Sequence, residues 1–154
     1  NPTAFTLPGV DTSHWQRTQL SKLGKPKLPF DGVILLPPGA KTKVDELHTS
    51  DGKSAGQMAF VTLPDHVEVM LGIRSSISQK DPTMLKQLFA AQGPFLIDRE
   101  GPTGYMFVQK RDDGYVLQGA SWPVDPGLDC ATQDALTLDQ LAETLAICDS
   151  FSAK

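Results

Sequence analysis

The 154-residue chain has little of what several large classes of protein require. No apolar stretch approaches the ~20 residues that span a bilayer, so we expect no transmembrane helix in the chain as given. The formal net charge is -4, and no concentrated basic face of the kind that phosphate backbones need is evident. We therefore expect no nucleic-acid partner.

Catalytic motifs are also scarce. The sequence has no Gly-x-Ser-x-Gly elbow, and its three histidines lie far apart without a supporting pattern. Asp51-Gly52-Lys53-Ser54 mimics the end of a P-loop, but Leu47 stands where that motif needs its first glycine. Two cysteines cannot complete a zinc site, and neither has the local signature of a nucleophile. We expect no enzyme activity, no cofactor and no metal.

What the sequence does contain begins with its only two cysteines, Cys130 and Cys148. They bracket the predicted C-terminal helix, and an even number of cysteines beside one element favours a structural disulfide in an oxidising compartment. Closing a loop of this size stabilises a fold by roughly 3 kcal/mol in the chain-entropy model. The alternative is a pair of buried free thiols in a cytosolic protein.

The start of the chain and its charge distribution bear on location and partners. The chain begins at Asn1 without an initiator Met, which favours a mature exported, periplasmic protein that has lost a signal peptide or lipoprotein leader; removal of a tag is the alternative. Membrane attachment is then expected only through a lipid upstream. Residues 1–93 carry a net charge of +2 (ten Lys or Arg, eight Asp or Glu), and residues 94–154 carry -6 (four and ten). The acidic half either meets a basic partner or is a solvated surface.

Alternating apolar residues and turn residues predict an α+β fold with an antiparallel sheet of about six strands flanked by two helices. We divide the chain into an extended N-terminal segment, 1–29, with a short helical turn around Gln16–Leu23, and a single α/β domain, 30–154. The Pro- and Gly-containing segment 123–130 is predicted to be a loop. The predicted strands are Val33–Leu36, Lys43–Leu47, Gln57–Leu63, His66–Ile73, Phe95–Ile97, Tyr105–Lys110 and Tyr115–Ser121.

Two helices have clear start and stop signals. Asp81-Pro82 opens the first and Gly93-Pro94 ends it. The second covers about Leu138–Phe151, and Thr137 with Gln140 forms a capping-box pattern at its start. Residues at helical spacing predict one apolar stripe on the first helix, made of Met84, Leu85, Leu88 and Phe89.

Acidic residues beside aromatic residues flank two predicted turns, and we interpret them as a partner-binding surface. Trp122, before Pro123, is a further aromatic of this kind. The alternatives are structural: charged residues at a strand end, a hairpin turn, and aromatic side chains that pack the sheet. Asp98 and Glu100 could also share a strand-end face, as the paired carboxylates of a glycosidase do. The predicted partner-binding residues are Asp98, Arg99, Glu100, Tyr105, Asp112, Asp113 and Tyr115.

The element order is a strand, a hairpin, a helix, a three-stranded meander and a terminal helix, which the stretch from Leu141 to Phe151 completes. Over about residues 30–151 this order resembles the Mog1/PsbP-like α/β sandwich, a fold shared by small exported lipoproteins. It also resembles the immunity lipoproteins that some bacteria pair with type VI secretion effectors. The resemblance implies a non-catalytic binding role.

From these observations we expect a periplasmic inhibitor that neutralises a secreted toxin or lytic enzyme by binding it. An accessory lipoprotein of a cell-envelope or secretion assembly is the second hypothesis. A small enzyme whose active site is assembled from distant residues is the third.

Overall fold

Among the residues that the structure describes, the main sheet is antiparallel and has seven strands in the order β3-β4-β5-β9-β8-β7-β6, and β1 and β2 form a separate two-stranded ladder. The computed structural model describes residues 6–28, 31–72, 82–121 and 128–152. The strands and helices are β1 (Gln16–Gln19), β2 (Val33–Leu36), β3 (Lys41–His48), β4 (Ser54–Thr62), β5 (Glu68–Gly72), α1 (Pro82–Ala90), β6 (Phe95–Gly101), β7 (Gly104–Arg111), β8 (Gly114–Ser121), β9 (Leu128–Ala131) and α2 (Leu138–Asp149). The predicted α+β class, an antiparallel sheet with two helices, is confirmed.

The two faces of the sheet are covered by different elements, because side chains alternate along each strand. On β7, Met106 and Val108 face the main core, which also contains Leu141 and Leu145 of α2. Phe107, between them, faces the opposite side and belongs to a smaller apolar cluster. Helix α1 lies on that second side, where its Lys86 Nζ is 5.6 Å from the centre of the Phe107 ring.

The N-terminal segment contributes to the main core. Leu20, Leu23 and Leu28 are 0–2% exposed and pack with the core residues of the sheet. The predicted helical turn at 16–23 is wrong in its first half, where Gln16–Gln19 forms β1. Pairing with β2 supplies the backbone partners there, and only a 3-10 turn at Leu20–Lys22 follows.

Strand β9 is the main element that the sequence did not predict. It lies in the middle of the sheet, between β5 and β8, although the segment was interpreted as a loop. Leu128 and Cys130 are buried while the residues that alternate with them are not. Four residues are too few for a recognisable alternation of apolar and polar side chains. The strand forms because it pairs with β5 and β8. Asp81, Trp122 and the prolines and glycine at 123–127 lie outside the described residues.

Helix α1 leaves part of its predicted apolar stripe exposed, whereas Phe89 is half-buried and the Leu85 side chain lies outside the described part of the chain. Met84 and Leu88 are 60% and 67% exposed. Polar contacts hold the end of α1 instead, since the buried Gln109 side chain donates hydrogen bonds to the carbonyl oxygens of Phe89 (2.7 Å) and Gly93 (3.0 Å).

Helix α2 starts at Leu138 as the sequence predicts and ends at Asp149, two residues before the predicted Phe151. Thr137 and Gln140 form the reciprocal capping box. The predicted disulfide is confirmed: Cys130 of β9 is bonded to Cys148 in the last turn of α2, with their Cα atoms 5.9 Å apart. The bond ties the end of the helix to the centre of the sheet.

Candidate functional site

The charged triplet Asp98-Arg99-Glu100 lies within β6 rather than in the turn that follows it. Neighbouring side chains of a strand point to opposite faces of its sheet. Asp98 and Glu100 therefore share the face of α1, whereas Arg99 points to the face of α2. The sequence predicts one partner-binding patch for the three residues, whereas the structure places their side chains on two different faces of the sheet.

On the α1 face, both carboxylates bind one lysine. Lys86 Nζ donates to Asp98 Oδ2 at 2.7 Å and lies 3.1 Å from Glu100 Oε1. These hydrogen bonds, the one to Asp98 being the stronger influence, raise the pKa of Lys86. The ammonium also lies 5.9 Å from the centre of the Phe95 ring. The two carboxylates that resembled a glycosidase pair are thus engaged in holding α1 to the sheet.

On the α2 face, Arg99 reaches the end of the helix. Its Nη2 donates to Asp149 Oδ2 at 3.2 Å, and both side chains are about half exposed. This ion pair joins the edge strand to the turn of α2 that carries Cys148. Fifty residues separate the two partners in sequence, so no local pattern could have indicated it.

A pocket of about 290 Å³ lies beside this ion pair. The hairpin that joins β6 to β7, the adjoining ends of β8 and β9, and the C-terminal end of α2 form its walls. Its apolar lining consists mainly of Met106, Leu128, Phe151 and the disulfide between Cys130 and Cys148. Its polar lining includes Arg99, Glu100, Thr103, Ser121 and Asp149.

Five residues that the sequence singled out meet at this pocket: Arg99, Glu100, Tyr105, Cys130 and Cys148. Tyr105 differs from expectation, because it is only 7% exposed and stacks on Phe107 with ring centres 4.8 Å apart. Its ring packs the sheet, as the alternative interpretation held.

The second predicted loop is far from the pocket. Asp112 and Asp113 are exposed in the turn after β7, at the opposite end of that eight-residue strand from Gly104. At about 3.3 Å per residue, the two ends are roughly 23 Å apart. Tyr115 lies at the same far end, half-buried against the main core. The loops at 98–105 and 112–115 therefore cannot form one compact patch.

Sequence reasoning missed several lining residues. Thr103 and Ser121 are ordinary turn and strand-end residues without a chemical signature. Asp149 is the last residue of α2 and Phe151 follows two residues later; the predicted disulfide was the signal that could have found them. Since the bond draws Cys148 onto β9, the neighbours of Cys148 must also approach the end of the sheet.

No protein-family model, curated protein or solved structure significantly matches this chain. The resemblance to the Mog1/PsbP-like sandwich and to immunity lipoproteins therefore stays a prediction that depends on the order of the elements. The function must be argued from the site itself.

The pocket offers charge and hydrogen bonds rather than a recognisable set of reacting groups. Its described lining contains no histidine, and both of its cysteines are in the disulfide. Within residues 6–28, 31–72, 82–121 and 128–152, no three His, Cys, Asp or Glu side chains converge as metal ligands would. Neither helix in this part of the chain is long and apolar enough to cross a membrane.

Asp51-Gly52-Lys53-Ser54 is a hairpin turn between β3 and β4. Asp51 Oδ1 accepts hydrogen bonds from the Thr49 hydroxyl and from the backbone N–H of Lys53. The Thr49 hydrogen bond is the main cause that lowers the pKa of Asp51. The carboxylate occupies the donors that a phosphate would use, so the segment has a local structural role.

Proposed function

We propose that this chain is a non-catalytic inhibitor that works in an oxidising compartment, the periplasm, and neutralises a secreted toxin or lytic enzyme by binding it. The observation that carries the proposal is the disulfide-anchored pocket beside the β6–β7 hairpin. Residues 101–103 at the tip of this hairpin are exposed, and the ladder of β6 with β7 supports them. A rigid hairpin of this kind can obstruct an active site without any catalytic group of its own.

The disulfide supports the choice of compartment. Structural disulfides persist in the periplasm and outside cells, whereas cytosolic thiol systems keep most cysteines reduced. The order of elements supports the further proposal of an immunity-type lipoprotein paired with a type VI secretion effector, since it resembles that group. This resemblance favours a protein partner over a small-molecule substrate.

The proposal is tested by reversing charge at the hairpin end of the sheet and measuring partner capture. The test variant is Asp98→Lys with Glu100→Lys, combined with Lys86→Glu so that the ion pairs persist with opposite sign. The matched control is Asp112→Lys with Asp113→Lys, which introduces two lysines about 23 Å away. Circular dichroism and thermal unfolding establish that each variant is folded.

We expect the native chain and the control to capture one enzyme from the periplasm of the source organism and to inhibit it. The test variant should bind it about tenfold more weakly, as for loss of a central interface contact. Equal binding by all three proteins, or equal loss in test and control, would contradict the proposed surface. Capture of an envelope assembly in place of one enzyme would favour the accessory role.

A further inference from the structure

We infer that the pocket between the β6–β7 hairpin and the end of α2 binds one cationic side chain, an arginine or lysine, from a basic segment of the partner. The inference rests on the proposed function for the identity of the partner as a protein. The chemistry of the pocket can be tested without that partner.

The size of the pocket limits its occupant. Sites for drug-sized ligands and cofactors typically enclose about 300–1,000 Å³, and this pocket encloses about 290 Å³. A volume at the lower limit of this range accommodates one long side chain. The Met106, Leu128 and Phe151 side chains and the disulfide supply apolar surface for an alkyl stem.

The charge around the pocket favours a cation. Asp149 contributes a half-exposed carboxylate to the lining and pairs with Arg99, whereas the Glu100 carboxylate binds Lys86 on the α1 face. Cys148, Asp149 and Phe151 all line it, so the C-terminal end of α2 faces the pocket, and helix C-termini carry partial negative charge. The last turn of α2 contains no basic residue of its own.

The ion pair between Arg99 and Asp149 shows that the C-terminal end of α2 can bind a guanidinium group. The arginine crosses from β6 to reach Asp149, but the two side chains are 51% and 47% exposed. An ion pair that is half open to water contributes little stability. A partner cation can therefore replace Arg99 at Asp149 at small cost, while its stem gains the apolar lining.

The competing arrangement is an anion site in which Arg99 is the binding group. The two arrangements predict opposite effects of removing Arg99. If Arg99 competes for Asp149, Arg99→Met should strengthen the binding of a cation. If Arg99 is the receptor, the same change should abolish the binding of an anion.

The experiment titrates the whole chain with N-acetyl-arginine methylamide and, separately, N-acetyl-glutamate methylamide, and follows backbone amide resonances by NMR. The arginine probe should shift the amides of Thr103, Gly104 and Ser121. Arg99→Met should bind it about threefold more tightly and Asp149→Asn about threefold more weakly, which corresponds to one exposed ion pair. Asp113→Asn, at the far end of β7, should leave the affinity unchanged.

Binding of the glutamate probe that disappears in Arg99→Met would overturn the inference in favour of an anion site. Lack of saturable shifts with the arginine probe, or equal weakening by Asp113→Asn, would overturn it as well. Failure of partner capture together with the expected probe binding would refute the inhibitor proposal and leave the cation site established. Partner capture without probe binding would support the inhibitor proposal and refute the cation site.

Discussion

Replacing Gly104 with alanine tests whether the hairpin beside the pocket requires glycine at this position. The φ angle of Gly104 is +148°, in a region that side-chain-bearing residues rarely adopt, and such backbone strain costs about 1–3 kcal/mol. A Cβ would also press on the carbonyl oxygen of Ala120 and lie 3.0 Å from Ser121 Cα, both backbone atoms of the paired strand. Because backbone in a ladder cannot yield as a flexible side chain does, we expect Gly104→Ala to destabilise the fold by at least about 2 kcal/mol.

Gly101 provides the matched control, since it pairs with Gly104 across the same hairpin. A Cβ there meets nothing within 4 Å, and its φ lies outside the left-handed range. Gly101→Ala should therefore change stability by no more than about 0.5 kcal/mol.

Thermal unfolding followed by circular dichroism measures the difference. For a domain of this size, 1 kcal/mol shifts Tm by about 2–4 °C, so Gly104→Ala should unfold about 4–8 °C lower and Gly101→Ala within about 2 °C of the native chain. Similar shifts for both variants would refute the reasoning, as would a Gly104→Ala variant as stable as the native chain.

Three further changes have defined outcomes. Replacing both Cys130 and Cys148 with serine should cost about 3 kcal/mol in urea unfolding, and adding reductant should destabilise the native chain but not this variant; a native chain insensitive to reductant would contradict the stabilising role. Gln109→Leu should cost about 1–3 kcal/mol because it removes the donor to two carbonyl groups at the end of α1, and the amides of α1 should exchange with deuterium faster; unchanged exchange would contradict this. Burial, and to a smaller extent the charge of Asp65, raises the pKa of Glu143 in the folded state. Ionisation of Glu143 therefore lowers the free energy of unfolding as the pH rises from the pKa of the unfolded chain through the pKa of the folded one. Glu143→Gln should therefore raise Tm at about pH 7 and leave it nearly unchanged at about pH 4; the same difference at both would refute the assignment.

The sequence predicted the elements that carry their own signals. Strands β7 and β8 are long and flank an Asp-Asp-Gly turn, and α2 opens with a capping box, so local rules suffice for them. Strands β1 and β9 have four residues each and depend on neighbours that no local pattern reveals. Helix α1 was correctly placed, but the exposure of Met84 and Leu88 depends on how the helix meets the sheet.

The candidate site was predicted residue by residue but not as a geometry. The charges of the triplet at 98–100 predicted a binding surface. Because side chains alternate along β6, Asp98 and Glu100 bind Lys86, whereas Arg99 binds Asp149. The sequence suggested a shared strand-end face for Asp98 and Glu100, but β6 was predicted to end at Ile97, and no local pattern indicated the contacts with Lys86 and Asp149. Pairing with β7 extends β6 as far as Gly101, so all three residues lie in a strand and not in a turn.

The central position of β9 divides the sheet into two parts that are each continuous in sequence. Strands β3 to β5 form one meander and β6 to β9 another, and in the described sheet they join along the short ladder of Met70–Gly72 with Asp129–Ala131. The register places Leu71 opposite Cys130, so the disulfide is anchored on the strand that forms this seam. We expect each meander to behave as a separate cooperative unit, with reduction of the bond loosening hydrogen-exchange protection first along the seam rather than at the outer edges of the sheet.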